Sequence, residues 1–207
     1  MPKQNKFGEW KNPGKVFITG ASAGIGASYA KALAENGFDL VLLARRRDRL
    51  QALANQLESD YSIHCDIISA DLAKKEEIQK AINHIRQIDN LDILINNAGF
   101  ATIGYFADIP IEKSMRMFNT HMTATVQLTH AALQVMLKRK RGAIINVSSL
   151  GAFVLSPGNV VYDSTKSFLN TFSENLKFEM QDMDIKIQAL CPGLTRTEFH
   201  EVVDFKN

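Results

Sequence analysis

Tyr162 and Lys166 lie one helical turn apart in the run VVYDSTKSFLNTF, so on a helix their side chains share a face. A free phenol ionises near pH ~10, too high for a base at neutral pH. A neighbouring ammonium favours phenolate and draws that value down. Such a tyrosine gives a proton to a developing alkoxide or takes one from an alcohol. Ser149 ends an apolar run, GAIINVSS, where its hydroxyl can hold the same substrate oxygen. Lys166 has a second job open to it, holding ribose hydroxyls. Each residue also has a plainer reading. A Tyr and a Lys at this spacing occur on any amphipathic helix, and Ser148-Ser149 could simply close a strand.

A second constellation sits near the start of the chain. The apolar run KVFIT leads into Thr19-Gly20-Ala21-Ser22-Ala23-Gly24-Ile25-Gly26 and then a helical pattern. Gly20 permits a tight turn, Gly24 lets backbone approach a pyrophosphate, and Gly26 lets the helix pack close to the sheet. Free N–H groups and the helix dipole favour the anion there. A glycine-rich turn with no ligand is the plain alternative. The end of the next apolar run separates two cofactors. A carboxylate there would bond the adenosine ribose of NAD and repel the 2′-phosphate of NADP. This chain has Ala44 followed by Arg45-Arg46-Arg47. Arg45 offers a forked, charge-assisted contact to that phosphate, which favours NADP(H), with NADPH preferred over NADH. The arginines could also be a solvated helix start.

Alternating segments must position these groups. Short apolar runs at 15–19, 38–44, 62–69, 91–95, 142–148 and 184–190 read as strands. Between them, 24–36, 46–59, 74–88, 111–138 and 159–182 read as helices; Ile78, Ile82, Ile85 and Ile88 mark one helical face. Near-continuous apolar strands between amphipathic helices imply a doubly wound α/β fold, a Rossmann-type parallel sheet of about six strands with helices on both faces. Residues 1–14 form a polar segment, and 15–207 form a single dinucleotide-binding and catalytic domain. At 45% hydrophobic and 22% charged residues the composition is that of a globular domain. A net charge of +2 gives no case for nucleic acid or an anionic membrane. Cys65 and Cys191 have no metal-type spacing and read as inert thiols, so no metal is expected. No apolar run approaches the roughly 20 residues of a membrane span, and the polar N-terminus lacks a secretory pattern. A cytoplasmic protein is the expectation.

The motifs together resemble the short-chain dehydrogenase/reductase family, in its short single-domain branch. The resemblance rests on TGASAGIG at 19–26, NNAG at 96–99, the Ser149…Tyr162…Lys166 spacing and PGLTRT at 192–197, in this order. It implies nicotinamide-dependent hydride transfer between a carbonyl and an alcohol, and it selects Ser149 over Ser148. It also implies that Asp71 and Leu72 contact adenine, and that Asn97, Ala98 and Gly99 sit beside the adenosine ribose. Pro192 and Gly193 are then expected beside the nicotinamide, with Thr195 and Thr197 near its carboxamide or the phosphates. Many relatives pair the helices corresponding to 111–138 and 159–182 with symmetry mates, which implies a homodimer.

Two features depart from the family pattern. Many relatives carry an asparagine in the helix before the catalytic strand, supporting a water-linked proton path to the lysine. In FNTHMTATVQLTH that position is His121, and Asn119 falls on another helical face. His121 could replace the relay, or could be a buried histidine satisfied by backbone. Relatives also continue well past the PG motif, so the C-terminal part looks missing relative to the family, with an exposed sheet edge expected. The substrate wall reads as apolar: Phe100, Ile103, Leu150, Phe153, Val154, Leu194 and Phe199. These features point to reduction of an apolar ketone or aldehyde. The rival readings are a non-catalytic NADP(H)-binding regulatory or interaction protein and, more distantly, a nucleotide-sugar epimerase.

Overall fold

The computed structural model of the chain describes residues 12–195. Six strands, β1 (Lys15–Thr19), β2 (Asp39–Ala44), β3 (Cys65–Ser69), β4 (Leu91–Asn96), β5 (Gly142–Val147) and β6 (Ile185–Leu190), form one sheet in the order β3-β2-β1-β4-β5-β6. Every pairing is parallel. β1, β2 and β4 are buried on both faces because helices cover both. Helices α1 (Gly24–Glu35) and α2 (Arg47–Tyr61) pack on one face, through Leu33, Leu50 and Leu57 against Ile18, Leu40 and Ile95. Helices α3 (Lys75–Arg86), α5 (Ala124–Arg139) and α6 (Val160–Glu179) pack on the other, through Ile78, Leu128 and Leu176 against Phe17, Leu94 and Ile187. The doubly wound parallel sheet is as the apolar periodicity implies. At the β6 edge, exposed Lys186 and Gln188 alternate with buried Ile185 and Ile187.

The structure differs from the sequence reading in three places. Strand β3 starts at Cys65 rather than residue 62, because Ser62 adopts a left-handed conformation (φ 55°) that ends α2. The long helix expected over 111–138 is α4 (Ile111–Phe118), a π turn at Asn119–Thr123, and then α5. Such a turn inserts a residue without breaking the helix, and it carries His121. A 3-10 turn at Leu150–Phe153 follows β5, and the Ser149 hydroxyl caps it by accepting the Gly151 N–H. Among the described residues no helix is long and apolar enough to cross a membrane.

Candidate active site

A cavity of about 710 Å³ opens across the C-terminal ends of β1, β2, β4 and β5. Parallel sheets gather ligands at this edge, where the strand order reverses between β1 and β4. One end is the phosphate loop. Gly20 has φ 66°, a conformation costly for any side chain, and lines the cavity with Ser22, Gly24 and Ile25. Gly26 does not line it. A Cβ there would overlap the Gly20 carbonyl oxygen and come within 2.6 Å of Asn97 Nδ2, so its glycine serves close packing. No side chain caps α1 at Ala23, which leaves its first N–H groups to an anion.

Thr19 welds this loop to the next one. Its hydroxyl accepts the N–H groups of Asn97 (2.9 Å) and Ala98 (3.0 Å) and donates to the Ile95 carbonyl. Asn97 Nδ2 returns bonds to the Thr19 and Gly20 carbonyls. Asn97, Ala98 and Gly99 line the cavity beside Asp71 and Leu72. Both Arg45 and Arg46 reach it, and Arg46 Nη2 donates to Ser22 Oγ at 3.3 Å. The sequence reading named Arg45 alone, since a run of three arginines does not reveal which ones face the site.

The other end gathers Ser149, Tyr162 and Lys166 with Pro192, Gly193, Leu194 and Thr195. Tyr162 and Lys166 come from one face of α6, as their spacing requires, and Ser149 from the turn after β5. Lys166 is buried, with Nζ on the Val147 carbonyl at 2.8 Å and 5.6 Å from the Tyr162 ring centroid. Burial brings its ammonium down to about 8, with Cys191 acting in the opposite sense. Tyr162 moves the other way from the sequence expectation. Burial pushes its phenol up, the bond from Ser149 pulls it down, and the Asp163 carboxylate pushes it up again.

These two ends invite comparison with known proteins. The model of the short chain dehydrogenase family matches residues 14–206. The chain belongs to the short chain dehydrogenase family. A short-chain dehydrogenase from Sphingobium yanoikuyae, solved in complex with NADPH, superposes with a TM-score of 0.89 at 36% identity, over 93% of this chain and 76% of that one. The bulky-bulky ketone specific alcohol dehydrogenase from Comamonas testosteroni gives 0.86 at 33% identity, over 88% of this chain and 73% of that one. The human inactive hydroxysteroid dehydrogenase-like protein 1 is 30% identical over 194 residues, 93% of this chain, which spans 57% of that relative.

Phe100, Ile103, Leu150, Val154 and Leu194 line the cavity, whereas Phe153 stays outside it, 69% exposed. Thr197 and Phe199 lie outside the described residues. His121 is not among the described lining residues; it is buried behind them. Asn119 instead donates to the Ala73 carbonyl.

Three site residues escaped the sequence reading. Arg116 of α4 donates to Asp71 Oδ2 at 2.8 Å. Burial pushes the Asp71 carboxyl up, but Arg116, the Ala73 N–H and the charge of Arg45 together hold it below its usual range. Asp163, beside Tyr162, lines the cavity and accepts the Ser156 N–H and hydroxyl. Thr165 bonds both His121 and the Tyr162 carbonyl. All three act through partners distant in sequence or on the next helical turn, and their residue types alone carry no signal of it.

Proposed function

We propose that the chain is an NADP(H)-dependent oxidoreductase that reduces an apolar ketone or aldehyde, with Tyr162 as the proton donor. The observation that carries this reading is one cavity with phosphate-type groups at one end and Ser149, Tyr162 and Lys166 at the other. The donor set fits a dinucleotide. The uncapped α1 terminus suits a pyrophosphate, and Arg45, Arg46 and Ser22 suit a 2′-phosphate. The Sphingobium neighbour was solved with NADPH, which supports the same choice. A bound nicotinamide would supply the hydride.

The chain's own residues would do the rest. Ser149 holds the substrate oxygen. A phenol raised by burial is protonated at neutral pH, the form needed to protonate a developing alkoxide. Lys166 places its charge beside that ring and is set to hold the nicotinamide ribose. Leu150, Val154, Ile103 and Leu194 supply an apolar wall, in keeping with the ketone specificity named for the Comamonas neighbour. The exposed stripe Ile111, Met115, Phe118 and Val126 along α4 and α5 supports a homodimer through these helices.

The test is fluorescence titration with NADPH and NADH, then a panel of carbonyls followed at the NADPH absorbance. NADPH should bind more tightly, and Tyr162→Phe should lose turnover by at least about 100-fold while keeping NADPH affinity. The human relative named as inactive favours a second reading, a cofactor-binding protein without turnover. Tight binding with no turnover on any carbonyl would select it.

A further inference from the structure

We infer that His121 is a positioning residue: a neutral imidazole with its proton on Nδ1 that ties the Gly99–Phe100 loop to the Tyr162 turn of α6 and carries no proton in turnover. The inference rests on the reading of Tyr162 as proton donor. His121 sits on the π turn, 1% exposed, with both ring nitrogens engaged. Nε2 lies 3.1 Å from the Phe100 backbone nitrogen. An amide N–H only donates, so Nε2 must present its lone pair. Nδ1 lies 2.8 Å from Thr165 Oγ1. That hydroxyl spends its single proton on the Tyr162 carbonyl, also at 2.8 Å. Oγ1 can therefore only accept from Nδ1, and Nδ1 must carry the proton. One tautomer satisfies all three bonds.

Protonation would set an Nε2–H against the Phe100 N–H. Burial and the charge of Lys166, the ammonium acting on it from α6, also oppose the cation; the loop on the other side contributes a backbone amide. A relay through the ring must break either the Phe100 bond or the Thr165 bond. The packing around the ring is as specific as the bonding. A Cβ on Gly99 would come within 2.8 Å of Nε2, so glycine admits the imidazole. The ring meets those of Phe100 and Tyr162 edge-on, at 5.9 and 6.0 Å between centroids. His121 thus spaces the loop that lines the cavity from the helix that bears the acid. Shifts of about 1 Å in such spacing cost on the order of 100-fold in rate.

The direct test is long-range proton–nitrogen NMR of His121 in the intact wild-type chain, from about pH 5.5 to 8.5, spanning the ordinary histidine range. The expected result is a bare Nε2, a protonated Nδ1 and no titration. A titrating ring, or a proton on Nε2, would overturn the inference without touching the assignment of Tyr162. The kinetic arm uses His121→Gln, whose amide oxygen reaches the Nε2 place, and His121→Asn, whose amide reaches the Nδ1 place. Each keeps one bond and loses the other. Both should lower kcat by about 10- to 100-fold with the pH limbs of the wild type unmoved. Limbs that move in either variant would restore the relay and sink the positioning role. A wild type with no turnover would instead sink the proposed function, while the NMR would still decide the tautomer.

Discussion

The half of the sheet built from β1, β2 and β3 keeps polar side chains out of its core, whereas the half built from β4, β5 and β6 buries them. Before Leu91, Thr19 is the one buried polar residue among those described. Beyond it come Asp92, Asn96, Thr120, His121, Asn146, Ser148, Thr165, Lys166 and Ser173, with others on α4 and α5. The first half lines the cavity with the glycine loop, with Ser22 and with exposed Arg45 and Arg46, and it needs close packing behind that loop. The second half must hold a phenol, a hydroxyl and an ammonium in fixed relation, and buried polar partners do the holding. Asn96 Nδ2 bonds Thr129 and Asn146, and Asn146 Nδ2 bonds Ser173 Oγ, directly beneath the strand ends that carry the site. Buried groups of this kind are costly when unpaired, so they specify one arrangement.

The sharpest way to break the comparison is to make the second half apolar. Asn146→Leu removes one partner each from Asn96 and Ser173 inside a closed core. We expect a loss of about 2–3 kcal/mol in urea unfolding. Leu42→Met, in the first half, should cost about 1 kcal/mol or less, since the swap conserves volume in an apolar core. Equal losses would show that polarity does not distinguish the halves.

The first half should be fragile in another way, through contact distance. Gly26→Ala places a methyl on the Gly20 carbonyl and the Asn97 amide. Overpacking at a backbone contact costs about 1–3 kcal/mol. It should also weaken NADPH binding, because Gly20 and Asn97 shape the cavity. Unchanged affinity in a folded Gly26→Ala variant would mean that α1 can slide without disturbing the phosphate loop.

The same contrast explains what the sequence revealed. Apolar spacing was enough for six strands and a parallel sheet, and the glycines marked the turn between β1 and α1. Spacing alone put Tyr162 and Lys166 on one helix face; Ser149, on a separate turn, joined them only through the family resemblance. The π turn was not legible. The helical pattern runs through 111–138 unbroken, and an inserted residue leaves no mark in composition. The Asp71–Arg116 and Asp163–Ser156 pairs depend on how loops return to the sheet edge. Phe153 was misread because the 3-10 turn at Leu150–Phe153 leaves it outside the cavity.

Arg46 offers a smaller effect that sharpens the picture of the first half. Arg46→Ala should lower NADPH affinity about tenfold, or ~1.4 kcal/mol, and leave NADH unchanged. Arg45→Ala serves as the companion, since both side chains line the cavity. If NADH affinity falls equally, the arginines serve the loop fold and not the 2′-phosphate.

The smallest effect falls on the second half, where the Asp163 charge adds to the upward push that burial gives the Tyr162 phenol. Burial pushes that phenol up, Ser149 pulls it down and the Asp163 charge pushes it up. Asp163→Asn removes the charge and keeps an acceptor for Ser156. The folded-state phenol then ionises at lower pH. Carbonyl reduction needs the protonated phenol and is lost as pH rises through its ionisation, so the upper limb of the rate profile should move to lower pH. Lys166, at about 8, contributes its own limb below it, and that limb should stay in place. The shift will be modest because Asp163 is partly exposed and solvent screens its charge. An upper limb that stays fixed, or moves to higher pH, would show that Asp163 acts on the loop through Ser156 alone.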